Sequence, residues 1–403
     1  RGETVFSMDM DFLHNGLPRK ELAAAYKPAP RAKKLPEPAS DYTKEFLAIL
    51  ARLNVCSFEF ISAQYDHEVQ ANSVIKPLQG KGRVNGNASV IRPVLSSKKG
   101  VVLSQGLYPS YSEIDPYNMA AASIDTAIRN AISVGGSLDN MAILDNFCWC
   151  DSLNPERLGQ LVRAAEACYD YAVAYGTPYV SGKDSMFNDF KGFDKAGNPV
   201  KLSVPPTLLV SSFGVIDNVE KAQSIDFKRS GDLVYVLGFT NEECAGSEYE
   251  ALIQKIDPEF KGINVPAVDA KKNIVLYREF EKALGANLIA SSISIERGGI
   301  AAALAKSSVA GMLGAEIDLV KVPAKVTRDD LMLFSESQGR FLVSVDPAKK
   351  DAFEKAFAGS AIALVGKVTG DAKISVKGIR GTAAVSCTLA DADASYRSTF
   401  RNF

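Results

Sequence analysis

The sequence predicts an α/β module followed by an α+β module, and three observations carry that prediction. Between residues 42 and 217, runs of strand character alternate with runs of helical spacing. A stretch rich in polar residues interrupts the pattern at 217–231. From Asp232 the pattern restarts with the apolar strand Leu233–Leu237. The chain has 403 residues, enough for two domains of the usual ~100–200 residues each. The expected division is 1–40 for a leading strand and linker, 41–220 for the first module and 221–403 for the second.

Taken in order, a strand is expected at 4–13, with nothing of its own to pair with. Pro18, Pro28, Pro30, Pro36 and Pro38 follow it and oppose a continuous helix through the linker. In the first module the spacing predicts helices at 41–54, 119–134 and 155–175, with strands at 101–104, 141–144 and 206–216. Asn154, Pro155 and Glu156 supply a cap residue, a first-turn proline and an early acid for the last of these helices. In the second module helices are expected near 271–285, 299–309 and 347–358. Its further strands are expected at 340–345, 363–368 and 373–376.

Composition excludes several function classes. Lys and Arg number 46 against 47 Asp and Glu, for a net charge of −1. That balance gives no long-range attraction for nucleic acid or an anionic membrane, so neither is expected as a partner. No apolar run approaches the ~18–20 residues a membrane span needs. The first residues lack both an initiating Met and the hydrophobic region of a secretory signal. The expectation is a cytoplasmic chain that begins inside a longer protein. The six cysteines lack disulfide-scaffold density and zinc spacing, and Cys148-Trp149-Cys150 reads as packing. With His14 and His67 alone, a multi-histidine metal site is excluded.

Two strings carry candidate chemistry. Val180-Ser-Gly-Lys-Asp-Ser-Met follows an apolar strand and contains the parts that hold a phosphate: a glycine without bulk, a lysine charge, an acid and a hydroxyl. A tight turn with a solvated lysine is the plain alternative. Asp145 and Asn146 are expected just after the strand at 141–144, where open α/β folds bind ligands; the alternative is an Asp capping a loop. The Gly298-Gly299 pair opens a helix, as phosphate-binding starts do, and also suits close packing. Glu243–Tyr249 and Leu333–Leu342 are polar clusters that singly read as turns.

Taken together and in order, these strings resemble the amidoligase family of formylglycinamidine ribonucleotide synthase and aminoimidazole ribonucleotide synthetase. The landmarks are 9–14, 65–70, 123–130, 145–147, 181–186, 298–301, 314–318 and 333–340, spanning nearly the whole chain. Within the family they resemble the carboxy-terminal half of the synthases. The resemblance implies one synthetase-like module pair. It implies a role in the ATP-dependent conversion of formylglycinamide ribonucleotide and glutamine-derived ammonia to the amidine in purine biosynthesis. ATP and Mg²⁺ are the implied cofactors. The implied partners are an amino-terminal half of the same enzyme and a glutaminase subunit, with a homodimer of the chain as a further expectation.

Residue by residue, the resemblance assigns Asp145 and Gly182 to ATP and Ser185 to substrate; Lys183 stands where small members of the family carry a metal-binding Asn, so a direct contact to the ATP phosphates is expected there, with metal ligation left open. Asn87, Thr126, Asn130 and Arg297 fall at a pseudo-symmetric nucleotide site, expected to be degenerate because neutral or basic residues replace acids. Asp125, one residue from the acid position, is a candidate substitute, and Arg297 is expected to fill the cleft or pair with Glu296 or Asp125. No catalytic residue is assigned, His67 being read as a structural corner, so the chain alone is expected to be inactive. The alternatives are a self-sufficient homodimeric synthetase-like enzyme and a nucleotide-free scaffold.

Overall fold

Alternating inward-facing apolar residues build two large sheets, one per module. The computed structural model describes residues 2–28, 31 and 33–403; Pro30 of the linker lies outside them. The first sheet has six strands in the order Ser73–Ile75, Ala88–Ile91, Gly100–Leu107, Thr207–Ile216, Met141–Cys148 and Tyr179–Ser185. Its pairs are antiparallel except the last, which is parallel. The second sheet has seven strands: Ser291–Ser294, Phe341–Val345, Leu233–Leu237, Ile362–Thr369, Gly314–Asp318, Lys373–Lys377 and Ala383–Thr388.

The helix Pro116–Ser133 fixes how the modules sit together. Asp115 caps it and Pro116 opens it. Its surface is buried almost all round, which suits a run of alanines and small polar residues rather than a one-sided apolar stripe. One side lies on the first sheet. There Gly106 lets the helix approach, because a Cβ would run into the Ser123 carbonyl. The other side meets the strand Ser291–Ser294 and the helix Ala270–Gly285 of the second module. One apolar cluster therefore runs continuously from Val102 and Ile128 to Tyr277, Phe280 and Phe341. A second cluster fills the far side of the second sheet, and the helix Thr43–Leu50 joins it through Phe46 and Ile49. That helix thus packs on the second module, although it precedes the first in sequence.

The leading segment differs from expectation. Residues 4–13 form no strand; Asp9 instead caps a short exposed helix, Met10–Asn15. Without a neighbouring strand to satisfy its backbone, an apolar segment gains nothing from extension, and a local cap decides its shape. Val5, Phe6, Met10 and Leu17 are left exposed. Among the described residues no helix is long and apolar enough to cross a membrane.

Candidate functional site

Asp145 and Gly182 are brought together at one edge of the first sheet. The strand Met141–Cys148 extends further than the sequence suggests, so Asp145 and Asn146 lie within it rather than after it. Likewise Gly182–Ser185 is not a turn: it is the end of the edge strand Tyr179–Ser185. Parallel pairing supplies backbone partners that a local reading of Gly-Lys-Asp-Ser does not foresee. In that pairing Asp145 stands opposite Gly182. A Cβ at 182 would collide with the Asp145 carboxylate, so the glycine makes room for the acid.

Strand alternation divides the other candidates. Asp145, Gly182 and Asp184 share the face toward the helix Pro155–Tyr175, whereas Lys183 and Ser185 stand opposite Asn146 and Cys148 on the other face. The Asp145 carboxyl is held above its usual range, first by burial and then by the Asp184 charge. Two carboxylates at a sheet edge offer oxygen ligands to a cation. Among the described residues, however, no group of three or more His, Cys, Asp or Glu side chains could hold a metal. Ser185 is already engaged. Its Oγ lies 3.0 Å from Asn188 Nδ2, which also donates to the Ser185 carbonyl at 2.7 Å. The turn at 185–188 closes on these bonds, with Phe187 at φ 60°.

The pseudo-symmetric residues lie at the seam between modules. Asn87 Nδ2 donates to Glu296 Oε1 at 3.1 Å and to the Ser294 carbonyl at 3.2 Å. Asn130 Nδ2 donates to the Gln105 carbonyl at 3.1 Å and reaches Glu296 Oε2 at 3.4 Å. Thr126 Oγ1 donates to Gln338 Oε1 at 2.8 Å. Arg297 donates to the Leu107 carbonyl and lies 5.0 Å from the centroid of the Tyr108 ring.

The fully buried residue that fills this seam is Arg129, which the sequence reading passed over in favour of Arg297. Its Nη1 pairs with Asp125, its Nε donates to Ser294 Oγ at 2.8 Å, and its Nη2 reaches the Ile295 carbonyl at 3.2 Å and Gln338 at 3.1 Å. Burial works most strongly against the guanidinium charge, but Asp125, Tyr277 and Tyr108 together outweigh it and the pKa is raised. Asp125 receives further donors from Tyr175 and Tyr277, each at 2.6 Å, and from Asn273 at 2.9 Å. It therefore does not substitute for the missing acid beside Asn87 and Asn130, nor does it pair with Arg297. A signal existed in the i,i+4 spacing of Asp125 and Arg129, the acid and the base on a helix otherwise without Asp, Glu, Lys or Arg.

Two polar strings of the second module that singly read as turns meet each other beside the same seam. Glu336 accepts the backbone N–H groups of Gly298 and Glu248, each at 2.9 Å, and the Tyr111 hydroxyl of the first module. His67 is a corner: at φ 61° its Nε2 accepts Leu78 N at 3.2 Å.

Comparison with known proteins matches both modules. Residues 85–203 match the family described as AIR synthase related protein, N-terminal domain, and residues 229–379 its C-terminal domain. Phosphoribosylformylglycinamidine synthase subunit PurL of Methanocaldococcus jannaschii is 33% identical over 341 residues, 84% of this chain and 43% of the relative. The same subunit of Thermoplasma volcanium is 29% identical over 378 residues, 92% of this chain and 46% of the relative. The chain thus spans about half the length of these curated relatives. Among solved structures, T. maritima PurL complexed with FGAR shares the fold at TM-score 0.64 and 19% identity, covering 87% of this chain and 53% of that one. A chain of a HypE–HypF complex does so at TM-score 0.55 and 15% identity, with 75% of this chain and 93% of that one covered. By both of its modules, the chain belongs to the AIR synthase related family.

Proposed function

We propose that the chain is the carboxy-terminal half of an ATP-dependent carbon–nitrogen ligase of the cytoplasm. The ligase converts formylglycinamide ribonucleotide and glutamine-derived ammonia to formylglycinamidine ribonucleotide in purine biosynthesis. The observation that carries this reading is the match of both modules, in order, to PurL subunits about twice the length of this chain. The division at 40/41 and 220/221 belongs to the same proposal, each large segment containing one large sheet.

Phosphoryl transfer to an amide oxygen needs positioned phosphates, a neutralising cation and a closed site. Here Asp145 and Gly182 take ATP on one face of the edge strand. Lys183 meets the nucleotide phosphates from the other face, where Ser185 takes the substrate. Asp145 and Asp184 would supply only part of the ligand set of an ATP-bound Mg²⁺, which would neutralise phosphate charge there, and the amino-terminal half would supply the rest. The open face of the first sheet, with Leu103, Leu144 and Phe213 beside Ser211, is the surface that half covers. A separate glutaminase subunit supplies ammonia. At the pseudo-symmetric position, Asn87, Thr126, Asn130 and Arg297 are tied to protein groups, and we read the site as empty of Mg-nucleotide.

Amidine formation from ATP, formylglycinamide ribonucleotide and ammonium tests the proposal. Turnover is expected when the chain is combined with the amino-terminal half, and none from the chain alone. Robust turnover by the 403-residue chain by itself would sink the half-enzyme reading. In the HypE–HypF complex one module pair matches 93% of a chain, so the fold also occurs as nearly a whole chain, which keeps a homodimeric synthetase-like enzyme as the second reading. A homodimer with aminoimidazole ribonucleotide synthetase activity would establish it.

A further inference from the structure

A cavity of about 570 Å³ opens on the second module at the start of the helix Ala270–Gly285, away from the strand that carries Asp145 and Gly182. Lys271, Lys272 and Lys325 line it against a single acid, Asp269. Asp269 pairs with Lys272 at 2.6 Å and caps that residue's backbone N–H. Lys271 and Lys325 have no ion-pair partner among the described residues, and Lys325 Nζ stands 5.8 Å from the centroid of the Phe239 ring. Two uncompensated ammonium groups beside the N-terminus of a 16-residue helix form an electropositive mouth.

The floor supplies an independent sign of a ligand. Asn273 is only 8% exposed. Its Nδ2 is used by Asp125 at 2.9 Å and Tyr175 at 3.3 Å. Its Oδ1 receives no donor among the described residues, although it lines the cavity beside Gly339, where a Cβ would strike it. The residue is mostly buried, but this oxygen reaches the cavity and is free to accept from whatever enters.

We propose that this cavity binds a sugar phosphate, with the phosphate between Lys271, Lys325 and the helix start, and a sugar hydroxyl donating to Asn273 Oδ1. The volume lies within the ~300–1,000 Å³ usual for small-molecule sites. Asn273 and Gln338 on its wall are bonded to Asp125, Thr126 and Arg129, so occupancy reaches the seam between modules directly. The site is separate from the ligase reading and does not rest on it.

Calorimetric titration with ribose 5-phosphate and with inorganic phosphate tests the proposal. The expected result is saturable one-to-one binding of ribose 5-phosphate, about tenfold or more tighter than inorganic phosphate. The double variant K271A/K325A, with an unchanged melting temperature, should weaken it by at least about tenfold. Asp145→Asn should leave it unchanged, which separates this cavity from the sheet-edge site. Absence of saturable binding, binding indifferent to the lysine pair, loss of binding in Asp145→Asn, or inorganic phosphate binding as tightly as the sugar phosphate would each overturn the proposal.

Discussion

The seam between the modules and the edge strand Tyr179–Ser185 are built from similar residue types and finished in opposite ways. At the seam Asp125, Arg129, Glu336 and Gln338 are buried, and donors from both modules meet them. At the edge strand Gly182, Lys183 and Asp184 are exposed, and Asp145 has only Asp184 as a charged neighbour of note. Buried polar groups must be satisfied inside the fold, whereas groups at a working surface are left for a ligand or partner. The comparison teaches that one side of this chain completes itself and the other does not.

The largest expected effect breaks the seam. Arg129→Ala leaves the Asp125 carboxylate buried without its cation and should destabilise the protein by about 3–5 kcal/mol. Urea denaturation checks this, and a loss below ~1 kcal/mol would mean that the tyrosines and Asn273 alone satisfy Asp125.

Glu336 sharpens the same point through pH. Burial, and then the Glu248 charge, push its carboxyl up to about 7 from an ordinary 4.5. Over that interval the folded state keeps a proton that the unfolded chain releases, so this group's contribution to stability falls as pH rises from 4.5 to 7. It is fully present only below the lower value. Glu336→Gln should flatten that dependence by roughly 3 kcal/mol across the window, and melts at several pH values read it directly.

At the edge strand, stability and binding should separate. In the reassembled ligase, Ser185→Ala should weaken substrate binding by roughly 1.5–3 kcal/mol and ATP binding less. The melting temperature should hardly move, because Asn188 retains its bond to the Ser185 carbonyl. Unchanged substrate affinity in a titration would remove Ser185 from the site. The smallest effect is expected from Gly182→Ala. Its Cβ displaces the Asp145 carboxylate, at a stability cost within ~1 kcal/mol, because the strand edge is open. ATP affinity should drop while substrate affinity holds, and parallel titrations with the two ligands distinguish the outcomes.

Much of this was legible in the sequence, for a local reason. Helix periodicity placed the helices Pro116–Ser133 and Pro155–Tyr175 to within a few residues, and Asn154 caps the second as its side chain requires. The apolar strands Leu233–Leu237 and Thr207–Ile216 also stood out, and the ordered strings carried the family. The leading segment did not read correctly, because an apolar run cannot by itself show whether a neighbouring strand is available.

What only the tertiary structure decided is which face each polar residue takes and which partners it finds. A register shift between Ile143 and Leu144 sets the pairing that puts Gly182 opposite Asp145 and turns Lys183 away; a slip of one residue would reverse both. Arg129 was visible only through its spacing from Asp125 on a helix of alanines and small polar residues. Its acceptors Ser294 and Gln338 lie 165 and 209 residues further along the chain. By itself the sequence determined the elements, their order and the family they spell, since each depends on neighbours a few residues apart. The seam and the division of the edge strand between two faces depend on register and long-range packing, which no local pattern encodes.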